Sequence, residues 1–275
     1  MTIKNISISC FRCFSNLDLE FSDLNNFFFG SNGSGKTSVL EALYFCSTGR
    51  SFKSSNKNLC IQNKQNSFQL KLETINRNRI KILKTTNKSI YCEIDGQKAS
   101  SVDLFRALPS TLLDSKTFSM FIDTPQYRRK VLDRCLMAAD KNYIKDFFSF
   151  HKALKQRNAA LKQDSKYGLD VWSETFASSG SHLSKKREEF FQRTKKVFFN
   201  FSKYFSDKRV LDIINSLDII FYKGWQEEYS LNKALQKSLD SDSRRQTTGA
   251  GPHKADIKFL SNGEDIKYIL SRGEQ

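Results

Sequence analysis

Residues 30–37 read Gly-Ser-Asn-Gly-Ser-Gly-Lys-Thr, followed by Ser38. The spacing is G-x-x-x-x-G-K-[ST], a loop whose backbone amides wrap the oxygens of a polyphosphate. Gly30, Gly33 and Gly35 permit the dihedrals that bring the backbone close to an anion. Ser31, Asn32 and Ser34 fill the positions between them. Lys36 is placed to neutralise the β and γ phosphates, and the Thr37 hydroxyl to ligate Mg²⁺. The whole run, Gly30 through Thr37, is therefore the candidate nucleotide-binding site.

Such a loop works only between a strand and a helix, and the flanking sequence offers both. Asn25 to Phe29 ends in consecutive phenylalanines, the pattern of a strand buried on both faces. Thr37 to Cys46 places Val39, Leu40, Leu43 and Cys46 at helical spacing. Upstream, Ile6, Ile8 and Cys10, then Leu17, Leu19 and Phe21, alternate with polar residues, so two paired strands with a turn at 10–15 are expected. Phe68 to Ile94 has the same period of two and reads as an antiparallel meander. It ends at an Asp95-Gly96 turn.

From Tyr127 to Phe205 there is no proline, and glycine occurs only at 168 and 180. This segment reads as helices. Leu132, Leu136 and Ala139 mark one face; Phe190, Val197, Phe201 and Tyr204 mark another, either a cofactor or base-stacking surface or, the reading preferred from spacing, core packing. Alternation resumes between Leu211 and Trp225, residues 241–245 read as a polar linker, and a hairpin is expected at 256–266 around Asn262-Gly263. The implied organisation is the N-terminal part of a head over 1–125, a mostly helical second lobe over 126–245, and a return to the head over 246–275.

Composition narrows the function. The chain has 275 residues with a formal net charge of +16, which favours polyanionic partners such as nucleic acid. An AT-rich coding bias would raise lysine content without one. The six cysteines are too sparse for a disulfide framework, and no run reaches the roughly 18 apolar residues of a membrane span, so a cytoplasmic protein with free thiols and no membrane contact is expected.

Other residues carry weaker signals. Arg128, Arg129 and Lys130 form a basic run at the start of the helical block, with Lys152, Lys155, Arg157 and Lys185, Lys186, Arg187 beyond. They are candidate contacts to DNA phosphates, against the alternative of solvated helix faces. Cys10-x-x-Cys13 has no second close pair of metal ligands. His253 lacks an assignable acid partner, which favours a loop-positioning role over that of a general base. No stretch of four apolar residues ending in Asp, or in Asp-Glu, follows the loop to supply a further metal ligand and a base. No catalytic residue is therefore assigned, and hydrolysis is expected to be negligible.

The segments FRCFSNLDLEF, GSNGSGKTSVLEALYFCSTGRSFKS, TPQYRRKVLD, LKQRNAAL, GPHKAD and LSRGEQ, in this order and along the whole chain, resemble the bacterial RecF family. The resemblance implies an α/β fold of the ABC-ATPase type: a P-loop head like that of Rad50 and SMC proteins, with a mixed β sheet and an inserted helical lobe. It implies ATP and Mg²⁺ as cofactors, an ATP-dependent homodimer, and single-stranded, gapped and duplex DNA as partners. It also implies recombination mediators of the RecR and RecO type and a part in replication, recombinational gap repair and SOS induction. In such a dimer Ser271 and Gly273, within the signature Ser271, Arg272, Gly273, Glu274 and Gln275, would reach the phosphate held by the other copy's Lys36.

Two departures stand against the resemblance. The family continues past the signature into a Walker B strand and catalytic acid, so a C-terminally truncated chain is expected. Thr111 and Lys116 stand where the family has an amide and a carboxylate. A P-loop phosphotransferase and a non-functional remnant are the competing readings.

Overall fold

The structure, a computed structural model, describes residues 2–113, 124–163 and 168–270. The chain divides into two compact units, residues 1–112 and 113–275.

In the first unit, β1 (Ile3–Phe11) and β2 (Phe14–Glu20) form a hairpin across Arg12 and Cys13, as the alternation foretold. β3 (Ser67–Thr74), β4 (Arg79–Thr85), β5 (Tyr91–Ile94) and β6 (Gln97–Lys98) extend it into a sheet of order β2-β1-β3-β4-β5-β6. Every described ladder is antiparallel. Register explains why one face is apolar: Ile8 lies opposite Leu70, Leu70 opposite Ile82, and Leu72 opposite both Ile6 and Ile80.

That face is covered by α1 (Lys36–Thr48), which buries Ala42, Phe45 and Cys46 against it. Phe11, Phe45 and Phe68 meet edge to face, with centroids 5.0–6.2 Å apart. Each fully buried ring contributes about 1.5–3 kcal/mol by leaving water. The helix that carries Lys36 and Thr37 is thus clamped to the sheet by its far turns. α2 (Ser101–Ala107) begins at a reciprocal cap between Ser100 and Asp103 and buries Leu104 in the same core.

The strand expected at 25–29 does not form. Asn26 folds the chain on itself, its Oδ1 accepting from the Ser22 amide at 2.9 Å and its Nδ2 donating to the Ser22 carbonyl at 3.1 Å. Among the described residues no strand supplies a ladder for 25–29, and an apolar run without such partners gains nothing from extension. Leu24, Phe27 and Phe29 are exposed, while Phe28 packs edge to face on Phe21.

The second unit contains α3 (Pro125–Ala139), α4 (Tyr143–Leu161) and α5 (Leu169–Phe201). They pack around Leu132, Leu136, Phe150, Phe176, Leu183 and Phe191. α6 (Lys208–Ser216) follows, then β7 (Leu217–Tyr222) and α7 (Leu231–Arg245). β8 (Asp256–Ser261), β9 (Glu264–Asp265) and the short α8 (Ile266–Ile269) complete the described chain. β8 pairs with both β7 and β9, so residues 256–265 share a three-stranded sheet with 217–222.

Four expectations are corrected here. Residues 208–216 are helical rather than extended because the Asp207 carboxylate caps the amides of Arg209 and Val210. Residues 241–245 are the last turn of α7 rather than a linker, held by the buried Asp242. The aromatic face of α5 is only partly core: Phe190 packs inward, but Val197, Phe201 and Tyr204 are exposed, beyond the point where α5 is covered by its neighbours. Ala139, expected on the buried face of α3, is exposed as well.

Candidate nucleotide-binding site

The loop 30–35 leaves the exposed segment and turns into α1 through three glycines at positive φ: Gly30 at 148°, Gly33 at 84° and Gly35 at 95°. Gly35 is the N-cap of α1, and a side chain there is excluded twice over. Its φ is left-handed, and an added Cβ would lie 2.4 Å from Phe14 Cζ and 3.0 Å from Cys13 Sγ. The β1–β2 hairpin therefore abuts the loop and fixes where α1 begins.

No acidic residue occupies the first turn of α1, and no side chain caps it. Its positive end therefore meets no side-chain cap or acid of its own helix, an arrangement that suits an anion. Lys36 Nζ donates to the loop's own carbonyls, Gly30 at 2.7 Å and Ser31 at 2.8 Å. The ammonium is thus held by the loop itself, on neutral carbonyl acceptors.

A cavity of about 620 Å³ opens over the loop, lined by Asn32, Gly33, Ser34, Gly35, Lys36, Thr37 and Ser38 together with Arg12, Cys13, Lys53, Leu59 and Ile61. The sequence-derived residues 32–37 are thus brought to one wall; Gly30 and Ser31 contribute the carbonyls that hold Lys36. Arg12 and Lys53 add positive charge that the sequence did not reveal. The donor set fits a polyphosphate: amides, a helix N-terminus, an ammonium and a guanidinium face one space, with the Thr37 hydroxyl at its edge.

Arg12 is oriented by Glu41, a fully buried carboxylate on α1. Arg12 Nε donates to Glu41 Oε2 at 2.9 Å, Nη2 to Oε1 at 2.6 Å, and Nη1 to the Leu59 carbonyl at 2.7 Å. Ser51 donates to the same carboxylate. Burial alone would raise the Glu41 carboxyl, but hydrogen bonds from Arg12 and Ser51 and the charges of Arg12 and Lys53 outweigh it and hold the group below its ordinary range. The signal available in the sequence was the single acid on the first turns of α1, opposite a basic residue in a two-residue hairpin turn.

Other expected site residues fall elsewhere. Ser271 to Gln275 lie outside the described residues, as does Lys116, and Thr111 is exposed. Arg128 is buried, with Nε 2.7 Å from Asp256 Oδ1 and Nη2 3.0 Å from Oδ2; Arg129 donates to the Ala255 carbonyl at 2.6 Å. Both have internal partners, which leaves Lys130 as the member of that run that faces solvent. His253 sits between Phe150 and Phe176 with Nε2 2.8 Å from the Thr248 carbonyl. Burial pushes its imidazole down to about 4, so it is neutral and positions the 248–253 loop.

The AAA domain family matches residues 5–248. DNA replication and repair protein RecF from Pseudoalteromonas translucida (strain TAC 125) is 34% identical over 283 residues, covering all of this chain and 76% of that protein. RecF from Francisella tularensis subsp. tularensis (strain WY96-3418) is 32% identical over 281 residues, again covering all of this chain and 78% of the relative. The chain belongs to the RecF family.

A solved structure of the recombination mediator protein RecF-ATP in the RecFOR pathway superimposes with a TM-score of 0.83 at 26% identity, covering 99% of this chain and 76% of that one. The Smc head domain from Pyrococcus furiosus, with an extended coiled coil and the C-terminal domain of ScpA bound, reaches a TM-score of 0.50 at 14% identity over 99% of this chain and 75% of its own. The fold is that of a RecF- and SMC-like head. Compared with the curated RecF proteins it matches, this chain spans about three quarters of their length.

The RecF-like segments of the second unit meet in space through buried arginines. Arg157, from LKQRNAAL, donates to Asp242 at 2.9 Å and Thr248 at 2.6 Å; its neighbour Asn158 accepts from the Thr248 amide at 2.8 Å. Arg187 forms two bonds to Asp133, at 2.8 and 2.9 Å, and one to the Pro252 carbonyl of GPHKAD at 2.6 Å. In each basic cluster an exposed lysine stands beside a buried arginine: Lys152 and Lys155 beside Arg157, Lys185 beside Arg187. The planar, weakly hydrated guanidinium tolerates burial; the ammonium stays in water.

Proposed function

We propose that this chain is an ATP-binding protein of DNA replication and recombinational repair, acting at single-stranded, gapped and duplex DNA with nucleotide as a dimerisation switch. What carries the reading is the cradle itself, in which glycine-permitted amides, the open N-terminus of α1 and Lys36 face one cavity with Arg12 and Lys53. The Thr37 hydroxyl would hold a bound Mg²⁺, which would supply charge neutralisation to the phosphates. Lys36 exchanges its loop carbonyls for phosphate, and Arg12, braced by Glu41, adds a charge-assisted donor.

Among the described residues no carboxylate lines the cavity, and Glu41 is fully buried and engaged by Arg12 and Ser51, so no described side chain is placed to activate water. Dimerisation is assigned to Ser271 and Gly273 acting on the other copy's nucleotide. Contacts with recombination mediators, a part in SOS induction and a cytoplasmic location belong to the same reading, and membership of the RecF family supports them. The formal charge of +16 supports a polyanionic partner, and Lys130, Lys152, Lys155 and Lys185 present exposed ammonium groups for phosphate contacts.

The test is DNA binding by fluorescence anisotropy with and without ATP. Affinity for a gapped duplex that rises with ATP, and a rise lost in Lys36→Ala, is expected. DNA affinity indifferent to nucleotide would refute the switch.

A further inference from the structure

The far end of α5 and the short turn that follows it present their rings to water. Phe198, Phe201, Tyr204 and Phe205 are 41, 57, 73 and 48% exposed. They are not a frayed tail: Phe199 between them packs against the unit's core, and Ser202 Oγ donates to the Phe199 carbonyl at 2.7 Å. The Phe201 and Tyr204 rings lie 5.6 Å apart at 53°, and Lys203 Nζ sits 5.4 Å from the Tyr204 centroid. The result is a small aromatic platform anchored from beneath.

Charge decides what fits it. Residues 192–209 contain six Lys or Arg and a single acid, Asp207. That carboxylate is spent on the α6 amides. Lys196, Lys203 and Lys208 are exposed in the same stretch of chain, and Lys203 is the one that lies against a ring. Apolar protein interfaces exclude lysine from their centres, because burying the ammonium is costly. A chain of alternating flat faces and phosphates matches both features together, since any base stacks on an aromatic ring and any phosphate pairs with lysine.

We propose that residues 196–208 form a stacking platform for single-stranded nucleic acid, with Phe201 and Tyr204 taking base faces and Lys196, Lys203 and Lys208 taking phosphates. The proposal rests on the DNA-binding reading above and adds to it a surface and a mode of contact. Duplex DNA, whose bases are already stacked, gains nothing from the rings.

The full chain is titrated with oligo-dT and with a blunt duplex of the same length, as wild type, Phe201→Ala/Tyr204→Ala and Phe201→Leu/Tyr204→Leu. Both side chains are exposed, and circular dichroism checks that each variant is folded. With one base stacked on each ring, the double alanine variant is expected to weaken oligo-dT binding by about thirtyfold or more. Leucine is expected to weaken it nearly as much, while duplex affinity is unchanged. Ultraviolet crosslinking of an iododeoxyuridine oligonucleotide is expected to label Tyr204 or Phe201. Oligo-dT affinity unaltered by alanine, or fully retained by leucine, overturns the platform and marks the patch as a protein-docking face. Absence of binding to both probes in the wild type instead overturns the DNA-binding reading itself.

Discussion

Replacing Gly35 by alanine separates two costs that the structure assigns to one methyl group. At a φ of 95° an L side chain costs about 1–2 kcal/mol, whatever surrounds it. The added Cβ would also stand 2.4 and 2.9 Å from Phe14 ring atoms, too close for either to remain in place. Displacing a half-buried ring adds an overpacking cost of about 1–3 kcal/mol. Gly33 is the control: its φ of 84° carries similar strain, but nothing lies within 4 Å of an added Cβ. Urea unfolding followed by circular dichroism is expected to show Gly35→Ala destabilised by about 2–5 kcal/mol and Gly33→Ala by about 1–2 kcal/mol. Combining Gly35→Ala with Phe14→Leu is expected to recover part of the difference, because the ring atoms that the methyl strikes are gone. Equal stability of the two alanine variants, or no recovery in the double variant, would refute the claim that the β1–β2 hairpin sets the start of α1.

Further outcomes follow from the second unit. His253 is buried with its folded-state value lowered to about 4, so the unfolded chain takes up its proton first as pH falls. Stability contributed by the neutral ring is full above about 6.5 and declines towards pH 4, by up to about 3 kcal/mol, and His253→Gln flattens that slope in urea melts at stepped pH. Arg157→Leu leaves Asp242 buried without its cation and is expected to cost about 3–5 kcal/mol, whereas Arg157→Leu/Asp242→Leu loses less. Lys130→Gln lowers the slope of log affinity for DNA against log salt by about one, and Lys152→Gln does the same, while Arg128→Gln, inside the Asp256 pair, leaves that slope unchanged in anisotropy titrations.

The candidate site was legible because its chemistry is contiguous. Eight adjacent residues specify the cradle, and the helix that follows announces itself by spacing. Hairpins were equally visible, since Asp95-Gly96 and Asn262-Gly263 adopt the positive φ values that such pairs favour, 50° and 84°, then 51° and 89°. The remainder depended on partners far away in the chain. Arg157 meets Asp242 across 85 residues and Arg128 meets Asp256 across 128, so nothing local distinguishes these buried arginines from the solvated lysines beside them. Arg12 was hidden in the same way, its role set by Glu41 on another element. For 208–216 the doubled isoleucines suited strand and helix equally, and the Asp207 cap was the overlooked cue. The Phe27–Phe29 run had the composition of a buried strand, but composition does not supply the neighbour that a strand requires.

Calorimetric titration of ATP into the 275-residue chain, beside Lys36→Ala, probes the phosphate cradle most directly. Saturable binding of one nucleotide per chain, weakened at least about tenfold by the substitution, is the expected result, since a charge-assisted phosphate contact is worth about 1.5–3 kcal/mol. Indistinguishable affinities in the two proteins, or no binding at saturating ATP, would contradict it.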